Sequence, residues 1–170
     1  MTRRILGLLA ACLVAFSCGY RLRGTGSYLP SHIKRIGIPI FKNMTTRYEL
    51  DLKLTRAVIN EMSARAKVEV LPEGSRGDAV LIGEVLGFTV NPIAFSGEAA
   101  ADRYNITITA RIVLRDLVNQ KVLFSNPSFV YVKQYEVPQG ADFESLETEA
   151  IGKVAEEFAR TIVVNILEGF

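Results

Sequence analysis

The stretch that most constrains this chain is Tyr104 to Arg115. Tyr104, Ile106, Ile108, Ala110, Ile112 and Leu114 alternate with Asn105, Thr107, Thr109, Arg111, Val113 and Arg115. Successive side chains of a strand point to opposite faces, so a period of two puts the apolar set against a core. The other set is polar and nearly neutral. Such a strand belongs to an antiparallel sheet with one face covered and the other open.

The rest of the chain supplies what that strand needs. Ile33 to Phe41 reads as a strand with Ile36, Ile38 and Ile40 on one face, and with Pro39 at an edge or with its missing donor turned outward. A helix is expected from about Thr45 to about Arg65, because Thr46 and Glu49 have the spacing of a capping box. Its apolar stripe is Leu50, Leu54, Ala57, Val58 and Met62. Lys67 to Leu71 is a short strand, followed by a turn at Pro72 to Ser75. Ala79 to Val90 is a longer strand, apolar on both faces and therefore central. One face carries Val80, Ile82, Leu86, Phe88 and Val90, and the other Leu81, Gly83, Val85, Gly87 and Thr89. Asn91 to Ala101, with Pro92 and Gly97, reads as a long loop. A turn at Asp116 to Gln120 leads to a partner strand from Val122 to Val137, broken near Asn126-Pro127, with Phe129, Tyr131, Lys133 and Tyr135 on one face.

Asp142 is placed to cap a last helix ending near Leu167. In it Leu146, Ala150, Val154, Phe158, Ile162 and Ile166 recur every four residues, and Ile151, Ala155 and Val163 widen the stripe. Glu144, Glu147 and Glu149 sit in its first turns, where the helix dipole favours acids. The expected architecture is α+β. It is a two-layer sandwich with two amphipathic helices on one face of a four- to five-stranded, mainly antiparallel or mixed sheet.

The beginning of the chain is of another kind. Arg3 and Arg4 precede an apolar run from Ile5 to Phe16, then Ser17 and Cys18, the order of a secretory signal. The run is shorter than the roughly 20 apolar residues that span a bilayer. A cysteine after a small residue is where a bacterial lipoprotein is acylated and cleaved. Ala15-Phe16-Ser17-Cys18 fits such a site with alanine and phenylalanine at its first two positions. Leu9-Ala10-Ala11-Cys12 fits its four residues better but leaves too short an apolar segment, so Cys18 is preferred. A plain secretory signal is the other reading. Gly19, where an inner-membrane protein would carry aspartate, favours the outer membrane.

The expected division is 1–17 as signal, 18–32 as lipidated N-terminus and tether, and 33–170 as one periplasmic domain. Removing 1–17 leaves 153 residues, with eighteen basic and eighteen acidic side chains. A domain of that size buries about 68–70% of its unfolded surface, enough for a core without disulfides. It carries no excess positive charge of the kind that marks nucleic-acid binders. Arg21, Arg23, Lys34 and Arg35 near the tether read as ordinary strand charge or as contacts to anionic lipid.

Catalytic patterns fail on composition. His32 is the single histidine, and it follows Pro30 in a loop. With Cys12 removed and Cys18 acylated no thiol remains for a nucleophile or a metal, and no cofactor motif is present. Glu156 and Glu157 are adjacent and so point to different helix faces, which makes them a solvated face and no acid pair. The expectation is a binding protein and no enzyme.

Cys18-Gly19-Tyr20, Leu22-Arg23-Gly24, Ile38-Pro39, Phe41, Asn43 and Thr45, followed by helix, strands and closing helix, resemble the LptE lipoproteins. The resemblance covers nearly all of the chain after residue 17. It implies an outer-membrane lipoprotein on the periplasmic side that plugs an LptD-type β-barrel, helps it assemble, and works with it to deliver lipopolysaccharide to the surface. It also implies contact with lipopolysaccharide. The loop tip Ala94 to Glu98 holds no cation for a lipid A phosphate; Arg103 and Lys133 stand nearest to the two loops concerned. With Thr107 and Thr109 on the polar strand face, these are the candidate partner- or lipopolysaccharide-binding residues, and Cys18 is the lipid-attachment residue. The other functional reading is a periplasmic lipoprotein adaptor of a different envelope transport complex.

Overall fold

The computed structural model of the protein describes residues 29–71, 77–96, 100–137 and 143–169. Cys12, Cys18, the tether to Tyr28, the turn at Pro72 and the Asp142 cap lie outside the described residues.

Six strands and two helices follow in the order β1 (Arg35–Gly37), β2 (Lys42–Asn43), α1 (Leu50–Arg65), β3 (Glu69–Leu71), β4 (Ala79–Ser96), β5 (Ala100–Asp116), β6 (Lys121–Glu136) and α2 (Phe143–Glu168). They form one mixed sheet in the order β3-β1-β4-β5-β6, with β2 also paired to β4. The short strands run parallel to one another and to β4; the three long ones are antiparallel. Both helices supply the same core, so the fold is α+β with a helix layer on one sheet face. The strip Ile106, Ile108, Ala110, Ile112 and Leu114 is buried throughout, as its alternation requires. Phe158 of α2 is fully buried and meets Phe129 and Tyr131 of β6 edge-on, with centroids 5.3 and 6.3 Å away.

Four expectations are corrected. First, the Thr46–Glu49 capping box does not form. The Asn43 side chain instead accepts from the Thr45 backbone and hydroxyl and donates to the Arg47 carbonyl. That closes a turn ahead of the helix, leaves Glu49 left-handed (φ 56°), and starts α1 at Leu50.

Second, residues 91–96 and 100–101 are strand and not loop. Pro92 is tolerated because β2 reaches only Glu84 and Val85, so beyond them the second side of β4 is open and needs no donor. Register shifts on either side of Ala94 take up the irregularity.

Third, β4 does not keep one apolar set per face. A bulge between Val85 and Gly87 exchanges the faces. Ala79, Leu81 and Val85 are buried before it, while Phe88 and Val90 pack on the core after it. Fourth, Ile40 does not join Ile36 and Ile38. The strand stops at Gly37, Pro39 sits in the step to β2, and the chain turns over so that Phe41 is buried and Ile40 is 61% exposed.

The Phe41 ring occupies space that Gly83 leaves free, since a Cβ on Gly83 would come within 2.5 Å of it. The Phe41 N–H is bonded to the Thr55 hydroxyl, which in turn donates to the Asp51 carbonyl. This explains a buried threonine on the apolar side of α1.

Candidate partner-binding face

The side of the sheet away from the helices is uncovered among the described residues. Cross-strand register places its side chains in rows. Asn91, Asn105 and Gln134 stand side by side, then Thr89, Thr107 and Val132, then Gly87, Thr109 and Val130. Glu84 and Arg111 face each other in the next row and form an ion pair of 2.6 Å. Ile82 and Val113 follow.

The β5 row is polar, as its sequence requires, but its neighbours make the face more aliphatic than that row alone. Ile82, Val130 and Val132 are 41%, 55% and 52% exposed. Val130 and Val132 form an exposed aliphatic pair beside Thr109 and Thr107, while Ile82 stands two rows further along on β4. Asn105 adds a polar demand, for its Oδ1 is enclosed and has no donor. An enclosed acceptor without a partner carries a desolvation cost.

The four candidate residues do not all meet. Thr107 and Thr109 lie at the centre of the open face. Arg103 pairs across the strands with Glu136 at the end of the same face, 3.7 Å apart. Lys133 points to the other side. Its ammonium lies 2.9 Å from Glu157 of α2, and the same carboxylate oxygen accepts from the Tyr131 hydroxyl at 2.7 Å. Glu157 is therefore tied to the sheet and is not simply part of a solvated face. The Lys133 and Tyr131 donors hold its carboxyl below the usual range. Burial, with Glu157 beside it, pushes the Tyr131 hydroxyl up to about 12.

Two polar clusters secure one end of the sheet, where Ala79 pairs with Asp116. Asp116 accepts from the backbone of Val118 and Asn119, from the Asn119 side chain, and from His32 at 2.8 Å. Burial would raise this carboxyl, but the donors from Asn119, His32 and Val118 outweigh it and bring it down to about 2. His32 is thus a clasp between the Pro30 turn and the β5–β6 turn. Asp78 accepts from the Lys34 and Arg35 backbone, which lowers its carboxyl, and it pairs with the Arg35 guanidinium at 3.5 Å. On the helix side a cleft of about 310 Å³ runs beside Arg47, Tyr48, Lys53 and Thr148, with Arg47 held 2.7 Å from Glu147. Among the described residues no group of three His, Cys, Asp or Glu side chains could hold a metal. No helix among them is long and apolar enough to cross a membrane.

The chain has the fold of a two-layer α+β domain with one sheet face open among the described residues. The LptE lipopolysaccharide-assembly family profile matches residues 33–166, and the chain belongs to that family of envelope lipoproteins. No curated protein matches the chain. Solved structures share the fold. The PelC dodecamer from Paraburkholderia phytofirmans is 13% identical with a TM-score of 0.55, covering 84% of this chain and 95% of that one. Lipoprotein B from Nitrosomonas europaea is 13% identical with a TM-score of 0.54, covering 88% and 90%. A Xanthomonas campestris protein is 12% identical with a TM-score of 0.56, covering 80% and 85%.

The open face was legible as the polar half of β5. Its aliphatic flanks were not, since Val130 and Val132 read as a strand's alternate residues with no sign of which side was covered.

Proposed function

We propose that this protein is lipidated at Cys18 after removal of residues 1–17, held on the periplasmic side of the outer membrane, and docked as plug and assembly partner in an LptD-type β-barrel. The single domain would begin at about residue 33, with 18–32 as its tether. The observation that carries the reading is the uncovered sheet face, where Val130 and Val132 stand exposed beside Thr109 and Thr107. Hydroxyl and amide groups suit the polar lumen of a large barrel. The aliphatic neighbours give the contact its hydrophobic area. Docking of this kind needs no catalytic group.

The face we assign comprises Arg103, Thr107 and Thr109, with Asn105 between them. Lys133, engaged with Glu157 on the helix side, supports β6 from behind. Arg103, at the end of the face, is the cation available to a lipid A phosphate, in exchange for its long contact with Glu136.

Affinity purification from outer membranes tests the reading: it should recover a large β-barrel protein. Recovery of an inner-membrane ATPase or permease instead would support the adaptor role and remove the barrel.

A further inference from the structure

Beyond that docking role, we infer that the free edge of β6 pairs with β6 of a second copy of this chain. The sheet ends at β6, which is bonded on one side only, to β5. Among the described residues no backbone bond from another element reaches the outer side of Phe129 to Gln134. An unpaired edge is a template for another strand, and proteins usually guard it with proline, charge or a bulge. Here those guards stand at one end. Pro127 and the register shift between Ala110 and Ile112 interrupt the first half, where the Ser128 N–H is taken by Asn126. From Phe129 to Glu136 there is neither proline nor glycine. The one lysine of that half is turned inward to Glu157, so its charge does not protect the edge.

The sequence of this half also fits itself. A twofold axis at Tyr131, normal to the sheet, pairs the strands antiparallel and keeps both helix layers on one side. Val130 then faces Val132 of the other copy, and the reverse, so four exposed valines form one cluster. Phe129 faces Lys133, and Ser128 faces Gln134. Neighbouring registers are worse. An axis at Val132 sets each Val130 against a glutamine, one at Lys133 opposes two lysines, and one at Val130 sets each Val132 against a serine. The paired stretch is short beside the roughly 1,000 Å² of stable interfaces, so the dimer is weak and forms where copies are concentrated.

The test is disulfide trapping of the purified full chain in lipid vesicles that contain no barrel. The double variant Val130→Cys/Val132→Cys, oxidised and compared with each single variant, should give several-fold more linked dimer. Ile82→Cys, exposed on the same face but on β4, should stay at the background of the parent chain. Equal linking in Ile82→Cys, or no linking at all, overturns the pairing. Sedimentation of the unaltered chain in detergent checks it independently. The sedimentation coefficient should rise with concentration, and Val132→Lys should abolish the rise; a chain monomeric at every concentration overturns the proposal. Neither readout depends on the barrel, so its failure is separate from failure of the docking role.

Discussion

The two faces of one strand, β5, are organised by different physics. The helix-facing side carries Ile106, Ile108, Ala110, Ile112 and Leu114, all buried, under Phe158, Ile162 and the other apolar residues of α2. Its energy comes from apolar area removed from water and from close packing. The other side, a single residue out of phase, carries Asn105, Thr107, Thr109 and Arg111, with Val130 and Val132 exposed beside them on β6. Little there contributes to folding, since an exposed ion pair such as Glu84–Arg111 is worth at most about 1 kcal/mol. One face makes the domain, and the other is free to answer to a partner. Substitutions should separate the two.

The sharpest contrast comes from the covered side. Phe158→Ala removes a fully buried ring and its two edge-on contacts, and should cost about 3–5 kcal/mol in denaturant unfolding. A loss below about 1 kcal/mol would mean that the helix layer is not packed as described. Next is Gly83→Ala, whose new methyl would meet the buried Phe41 ring. It should cost about 1–3 kcal/mol by overpacking, and Phe41→Leu in the same chain should relieve part of it.

A third measurement probes the clasps. The Asp116 carboxyl falls from 3.8 to about 2 on folding, so the unfolded state binds more protons in that range. The stability it contributes is present above about pH 4 and lost as pH falls towards 2. Asp78 and Glu157, lowered by their donors, act in the same direction. Acid titration of the melting temperature should show this loss, and Asp116→Asn should flatten part of it; an unchanged slope would mean that Asp116 is not clasped.

The smallest expected effect on stability is the most informative. Thr107→Asp and Thr109→Asp should change unfolding by no more than about 1 kcal/mol, the span of strand propensity at positions outside the core. Under the docking role they should nevertheless lower the yield of assembled barrel. Unfolding by either one would show that the two faces have been exchanged.

Much of this was legible before any coordinates. The core strip of β5 and the stripes Leu50, Leu54, Val58 and Met62 of α1 and Val154, Phe158 and Ile162 of α2 are all buried, because periodicity alone decides which side of an element is apolar. What failed were places where local signals met competitors. Thr46 and Glu49 have capping spacing, but Asn43 held the chain in a turn first. Pro92 reads as a loop residue, yet the open side of β4 removes its penalty. The bulge after Val85 has no mark in a run that is apolar on both sides.

By itself, then, the sequence determined the layers, the class of fold and the polar half of the open face, because amphipathic period is a property of neighbouring residues. Only the tertiary structure decided that Lys133 and Tyr131 meet Glu157, that Phe41 occupies the space above Gly83, that His32 clasps Asp116, and that Val130 and Val132 stand exposed at a free edge. Each of these rests on residues brought together from distant parts of the chain, and no local pattern records which of them will meet.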